Sequence, residues 1–129
     1  MQQNKIIVVD DDVDEIFMLQ EIFRAKGIRH AQFFSDPEQV LHHLEALTEN
    51  QLPEVVVSDL KMPKVSGLDL LTRLRADSKY DRIDVIIYST SGLKHDIEAC
   101  MQAGAKAYFS KPHLVEEYDT LIDSISVYQ

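Results

Sequence analysis

Carboxylates follow two apolar runs of this chain, and hydroxyls and a lysine follow two more. Lys5-Ile6-Ile7-Val8-Val9 leads into Asp10-Asp11-Asp12, and Glu54-Val55-Val56-Val57-Ser58 leads into Asp59. Asp84-Val85-Ile86-Ile87-Tyr88 leads into Ser89-Thr90-Ser91, and Lys106-Ala107-Tyr108-Phe109-Ser110 into Lys111-Pro112. Continuous apolar runs of this length read as buried parallel strands. In an open α/β sheet the ligand site lies just beyond the carboxyl ends of the strands. Asp10, Asp11, Asp59, Ser89 and Lys111 are therefore expected in one pocket. Carboxylates brought that close repel each other and require a cation. A hard divalent ion with oxygen ligands, Mg²⁺, meets that requirement.

Helical periodicity alternates with these runs, and that alternation predicts a parallel sheet flanked by helices. Ile16, Leu19, Ile22 and Phe23 recur at helical spacing from Val13 to Lys26, with Gly27 as the stop. His30 to Phe34 reads as a short second strand. Ser35 or Asp36 caps the next helix, Pro37 sits at its start, and Val40, Leu41, Leu44 and Leu47 form its apolar stripe. The polar loop Lys61-Met62-Pro63-Lys64-Val65-Ser66-Gly67 precedes a helix carrying Leu68, Leu70, Leu71 and Leu74. Further helices are expected near Leu93 to Ala103, stopped by Gly104, and from about Leu114 to Val127. Val115, Leu121, Ile125 and Val127 on the last helix are assigned mostly to core, as helix stripes usually are.

The bulk composition narrows the function. With 129 residues and 45% apolar content, the chain is expected to be one domain, 1–129, with a core of useful size. Thirteen basic against 22 acidic side chains give a net charge of −9, the wrong sign for a nucleic-acid surface. No apolar stretch approaches the roughly 20 residues that span a bilayer. The start, Met1 to Lys5, has no signal-peptide pattern. A single cysteine, Cys100, excludes an internal disulfide and suits a reducing cytoplasm.

At these residues the chain resembles the receiver domain of two-component response regulators over essentially its whole length. Asp10-Asp11 match the family's acidic pair, and Ser58-Asp59-Leu60-Lys61-Met62-Pro63 with Gly67 matches its phospho-acceptor motif. Ser89, 30 positions after Asp59, matches the switch hydroxyl, and Lys111-Pro112, starting 52 positions after it, matches the lysine–proline pair. Tyr108 matches the switch aromatic. Val8 to Asp12, Phe17 to Glu21 and Ser89-Thr90-Ser91 are most similar to single-domain regulators of the phytochrome-associated type. The resemblance implies an α/β flavodoxin-like (βα)5 fold, a doubly wound five-stranded parallel sheet in the order 2-1-3-4-5.

The resemblance also implies roles. Asp59 is the nucleophile, taking a phosphoryl group from the phosphohistidine of a sensor histidine kinase, of phytochrome type by the subfamily likeness. Asp10, Asp11, Asp59 and the backbone carbonyl of Lys61 hold Mg²⁺, with Asp11 binding directly and Asp10 largely through water. Lys111 neutralises a phosphoryl oxygen, since phosphoryl transfer depends mostly on positioning and charge. Ser89 hydrogen-bonds the arriving group and Tyr108 swings inward. The peptide before Pro112 is cis in the family pattern. Lys61 and Ser91 occupy positions that tune phosphate lifetime. Output runs through a face of the fourth helix, fifth strand and fifth helix to a downstream protein or a homodimer. The chain catalyses only its own phosphorylation and dephosphorylation.

Blander readings stand beside these. An acidic pair also suits a helix N-terminus, and Asp12 is assigned that capping job. Asp14 and Glu15 are expected to be solvated. His113 reads as a solvated helix-start residue, and His42, His43 and His95 as surface residues. Cys100 and Met62 read as packing. A receiver fold used only for docking is the alternative function. A flavodoxin would need a phosphate loop where this chain is acidic, and a haloacid-type phosphatase would need an acid at position 61, which is Lys.

Overall fold

Ile6 to Val9 and Val55 to Val57 are buried without interruption, so both faces of the strands they form must be covered. The computed structural model describes residues 5–111 and 115–128, and it meets that demand with helices on either side. The strands are β1 (Ile6–Val9), β2 (Ala31–Phe34), β3 (Val55–Asp59), β4 (Asp84–Ser89) and β5 (Ala107–Ser110). The helices are α1 (Val13–Ala25), α2 (Pro37–Glu45), α3 (Gly67–Arg75), α4 (Lys94–Gln102) and α5 (Asp119–Ser126), with a 3₁₀ turn at Val115–Tyr118 leading into α5. All strand pairs are parallel, in the order β2-β1-β3-β4-β5. This is the doubly wound, flavodoxin-like sheet that the sequence predicts.

Strand pleating divides the core in two. Ile7, Val9, Val56, Val85 and Ile87 pack with Val40 and Leu44 of α2, Leu70, Leu71 and Leu74 of α3, and Cys100 of α4. Ile6, Val8, Val55, Val57, Ile86 and Tyr88 pack with Leu19 and Phe23 of α1 and with Leu121, Ile122 and Ile125 of α5. Cys100 and Met62 are buried packing residues, as expected. Among the described residues, no helix is long and apolar enough to cross a membrane.

Several boundaries differ from expectation, among them the start of the last helix, which is Asp119 after the 3₁₀ turn at Val115–Tyr118. His30 adopts a left-handed φ of 62°, so β2 begins at Ala31. The His30 carbonyl still accepts from Lys5 N and Ile6 N, which ties the start of β1 to that turn. Val127 is 77% exposed and belongs to no core, because α5 ends at Ser126 and its buried stripe at Ile125. The expected start of the last helix at Leu114, the Lys111–Pro112 peptide and His113 lie outside the described residues.

Candidate functional site

Caps and turns carry the acidic run to the top of the sheet. The Asp10 amide donates to Phe34 O (3.1 Å), extending the β1–β2 pairing by one step. Asp12 is the N-cap of α1 and accepts from the amides of Asp14 (2.9 Å) and Glu15 (3.3 Å). Asp12 is thus taken up by the helix end, as expected, while Asp10 and Asp11 remain at the pocket. Asp10 is fully buried and Asp11 exposed.

Asp59 is the last residue of β3 and is 8% exposed. Asp10, Asp11 and Asp59 each offer a carboxylate oxygen within 4.8 Å of the others. This compact, all-oxygen donor set suits a hard divalent cation. Burial first, and then the charge of Asp10, push the Asp59 carboxyl up to about 6, against the pull of Lys111. A positive ion between the carboxylates would reverse that repulsion.

Lys111 supplies the fixed positive charge. Its backbone amide donates to Ser89 O (2.7 Å), holding it beside β4. Its ammonium lies 3.1 Å from Asp10, 3.5 Å from Asp59 and 3.7 Å from Glu15. Burial alone would favour the neutral amine, but Asp10 and Asp59 outweigh it and raise the lysine further above its usual value.

Ser89 ends β4 and is buried, and its Oγ accepts the amide of Ser91 (3.0 Å). Half-buried Tyr108 donates its hydroxyl to the carbonyl of the same Ser91 (2.8 Å). The Ser91 Oγ in turn donates to Asp96 of α4. The two residues expected to switch are therefore joined through one residue of the β4–α4 loop, Ser91, Ser89 on its amide and Tyr108 on its carbonyl. Lys61 lies one residue past buried Leu60, with an exposed side chain. Gly67 opens α3 and donates its amide to Leu60 O (2.8 Å). A Cβ at Gly67 would stand 2.3 Å from the Asp59 carbonyl oxygen, so any side chain there collides with backbone. His42 and His95 are exposed, as expected, whereas half-buried His43 packs its ring 5.3 Å from that of Phe34.

Three residues of the site went unread in the sequence. Tyr88 reads in the sequence as part of an apolar strand, yet its hydroxyl donates to Asp10 Oδ2 (2.7 Å) and its ring lies 4.7 Å from the Lys111 ammonium. Burial and then Asp10 push that hydroxyl far above its ordinary value, so it stays a donor. Glu15, expected in solvent, has a side chain only 16% exposed. It faces Lys111 and accepts from the hydroxyl of Tyr118 (2.6 Å), at the entry to α5. Glu15 is drawn in from solvent because a cation and a hydroxyl donor, Lys111 and Tyr118, both face it. A tyrosine ending a buried run just before a polar cluster was the available signal for Tyr88, because a buried phenol needs a partner.

Comparison with known proteins gives the family and the fold. The family model described as "Response regulator receiver domain" matches residues 6–123. The chemotaxis protein CheY homologue of Campylobacter jejuni is 30% identical over 111 residues, covering 84% of this chain and 81% of the relative. The phosphorylated cyanobacterial phytochrome response regulator RcpA superposes with a TM-score of 0.83 at 23% identity, covering 97% of this chain and 92% of that one. The Mn²⁺-bound form of response regulator Rcp1 superposes with a TM-score of 0.80 at 21% identity, covering 96% and 93%. At those identities the two structures speak to the fold.

Proposed function

The chain belongs to the response regulator receiver family, and on that premise we propose that it is a phospho-acceptor switch whose acceptor is Asp59. The observation that carries this reading is the convergence of Asp10, Asp11, Asp59 and Lys111 at the carboxyl edge of β1, β3 and β5. A carboxylate oxygen of Asp59 attacks the phosphorus of a phosphohistidine on a sensor kinase. The P–N bond breaks, its electron pair stays on the imidazole, and an acyl phosphate remains.

Asp10, Asp11, Asp59 and the Lys61 carbonyl would hold Mg²⁺. When bound, it neutralises charge between the nucleophile and the incoming group. Lys111, already 3.5 Å from Asp59, turns its ammonium to a phosphoryl oxygen. Ser89 exchanges its bond from the Ser91 amide for one to the phosphoryl group. Ser91 then shifts as a residue, and its carbonyl, the acceptor held by Tyr108, moves with it. The change reaches the face formed by α4, β5 and α5, a local charge event biasing a two-state element.

The partners in this reading are a histidine kinase upstream, of the phytochrome type that the RcpA likeness brings to mind, and a target protein or second copy downstream. Residues 1–129 act as one receiver domain in the cytoplasm, with no chemistry beyond gain and loss of their own phosphoryl group.

Intact mass after incubation with acetyl phosphate, with and without Mg²⁺, tests the proposal. Wild type is expected to gain one phosphoryl group only with Mg²⁺, and Asp59→Asn none. Labelling of Asp59→Asn equal to wild type would place the acceptor elsewhere. Failure of wild type with both acetyl phosphate and a phosphorylated kinase domain would leave a docking module.

A further inference from the structure

Asp10 is fully buried, and both of its oxygens are occupied. Oδ1 accepts the Asp12 amide (3.0 Å), and Oδ2 accepts both the Tyr88 hydroxyl (2.7 Å) and the Lys111 ammonium (3.1 Å). The Lys111 ammonium is also the group that has to leave Asp10 if it is to serve a phosphoryl oxygen on Asp59. Stripping a buried carboxylate of its cation is strongly unfavourable unless other donors remain. The Tyr88 hydroxyl is such a donor. It sits on the same oxygen as the lysine, is held by a strand, and is wholly buried itself.

We propose that Tyr88 is a positioning residue that keeps Asp10 satisfied when Lys111 moves to the phosphoryl group, and that it weakens metal binding at Asp10 in return. The two effects share one cause. A phenol donating to Oδ2 draws electron density from the oxygen and holds it toward β4, so Asp10 presents less negative charge to a cation. The same bond lowers the cost of releasing Lys111. Removing the hydroxyl should therefore tighten the metal site and slow phosphoryl uptake. A residue that merely packs would move both in the same direction or neither.

The uptake half of this inference rests on the phospho-acceptor reading; the metal half does not. Mg²⁺ affinity of wild type and Tyr88→Phe, measured by calorimetry with no phosphoryl donor, is expected to be about threefold to tenfold tighter in the variant, the worth of one hydrogen bond no longer competing for the Asp10 oxygen; loss of a bond that only orients Asp10 would weaken binding instead. The rate of phosphorylation by acetyl phosphate at saturating Mg²⁺ is expected to fall about tenfold, as for loss of a charge-assisted hydrogen bond. In an Asp10→Asn background, Tyr88→Phe should leave Mg²⁺ affinity unchanged, because its effect runs through that carboxylate. Unchanged or weaker Mg²⁺ binding in Tyr88→Phe, or an equal change in the Asp10→Asn background, would overturn the inference. Should Tyr88→Phe broaden the unfolding transition, Tyr88→Leu also removes the hydroxyl and makes the same prediction. If wild type binds Mg²⁺ but takes no phosphoryl group, the phospho-acceptor reading fails while the metal comparison still decides the role of Tyr88.

Discussion

Gly67 lies against the backbone of Asp59 so closely that a methyl group there would stand 2.3 Å from the Asp59 carbonyl oxygen. The Asp59 peptide is one wall of the turn, and the α3 N-terminus is the other. Gly67→Ala is expected to force the Leu60–Ser66 loop outward. Overpacking of this kind costs about 1–3 kcal/mol, to be read from urea melts. Because the Lys61 carbonyl moves with that loop, Mg²⁺-dependent phosphorylation should fall as well. An unchanged melt and rate would show that the turn absorbs the methyl.

Asp59→Asn should make the metal-free protein more stable at pH 8. The folded carboxyl is raised from 3.8 to about 6, so the fold favours its neutral form. That contribution is fully present below pH 3.8 and is lost as pH rises through about 6. At pH 8 the ionised acid opposes folding and the amide does not. Melts of the two proteins should differ most at pH 8 and converge near pH 4.

The same shift sets the pH profile of metal binding. A cation competes with the proton on Asp59, so Mg²⁺ affinity should be flat above pH 7 and decline as pH falls through about 6. The limiting slope is about tenfold per pH unit for one displaced proton. Calorimetric titrations between pH 5 and pH 8 measure it, and a flat profile would mean that Asp59 is not a ligand.

Lys111→Ala is expected to keep Mg²⁺ binding, since it removes a competing cation 3.1 Å from Asp10 and 3.5 Å from Asp59. The phosphorylation-induced change in the β4–α4 loop should disappear. Amide spectra of Ser91 with beryllofluoride would show it, and a wild-type shift in the variant would remove Lys111 from the switch.

Tyr118→Phe breaks the bond to Glu15 at the entry to α5. The expected loss is about 1.5–3 kcal/mol of stability, typical of one hydrogen bond to a charged group. Mg²⁺ affinity should be unchanged, because Glu15 stands outside the metal cluster. A large change in that affinity would show that Glu15 reaches the ion.

The strands, their order and the helices between them were legible because burial on both faces leaves long aliphatic runs, and because Asp36, Pro37, Gly27 and Gly104 mark helix ends chemically. The cluster of Asp10, Asp11, Asp59 and Lys111 was legible because these residues end those runs. Tyr88, Glu15 and Tyr118 were not. Each makes a bond across a large sequence separation, Tyr88 to Asp10 and Tyr118 to Glu15, and neither run composition nor helical period encodes such a pairing. Val127 failed for the opposite reason: it continues the apolar pattern of α5, but the helix stops before the pattern does.

Neighbouring residues of β4 point to opposite sides of the sheet. Tyr88 joins the layer under α1 and α5, whereas Ser89 bonds into the loop that Tyr108 grips from the side of α2, α3 and α4. The end of β4 is therefore a fork. Each tine ends in different helices. On the proposed reading, a phosphoryl group on Asp59 would reach both tines, charge balance at the acids running through Tyr88 and the outward change through Ser89 and Tyr108. Mutation of Tyr88 would then alter the first and leave the second in place.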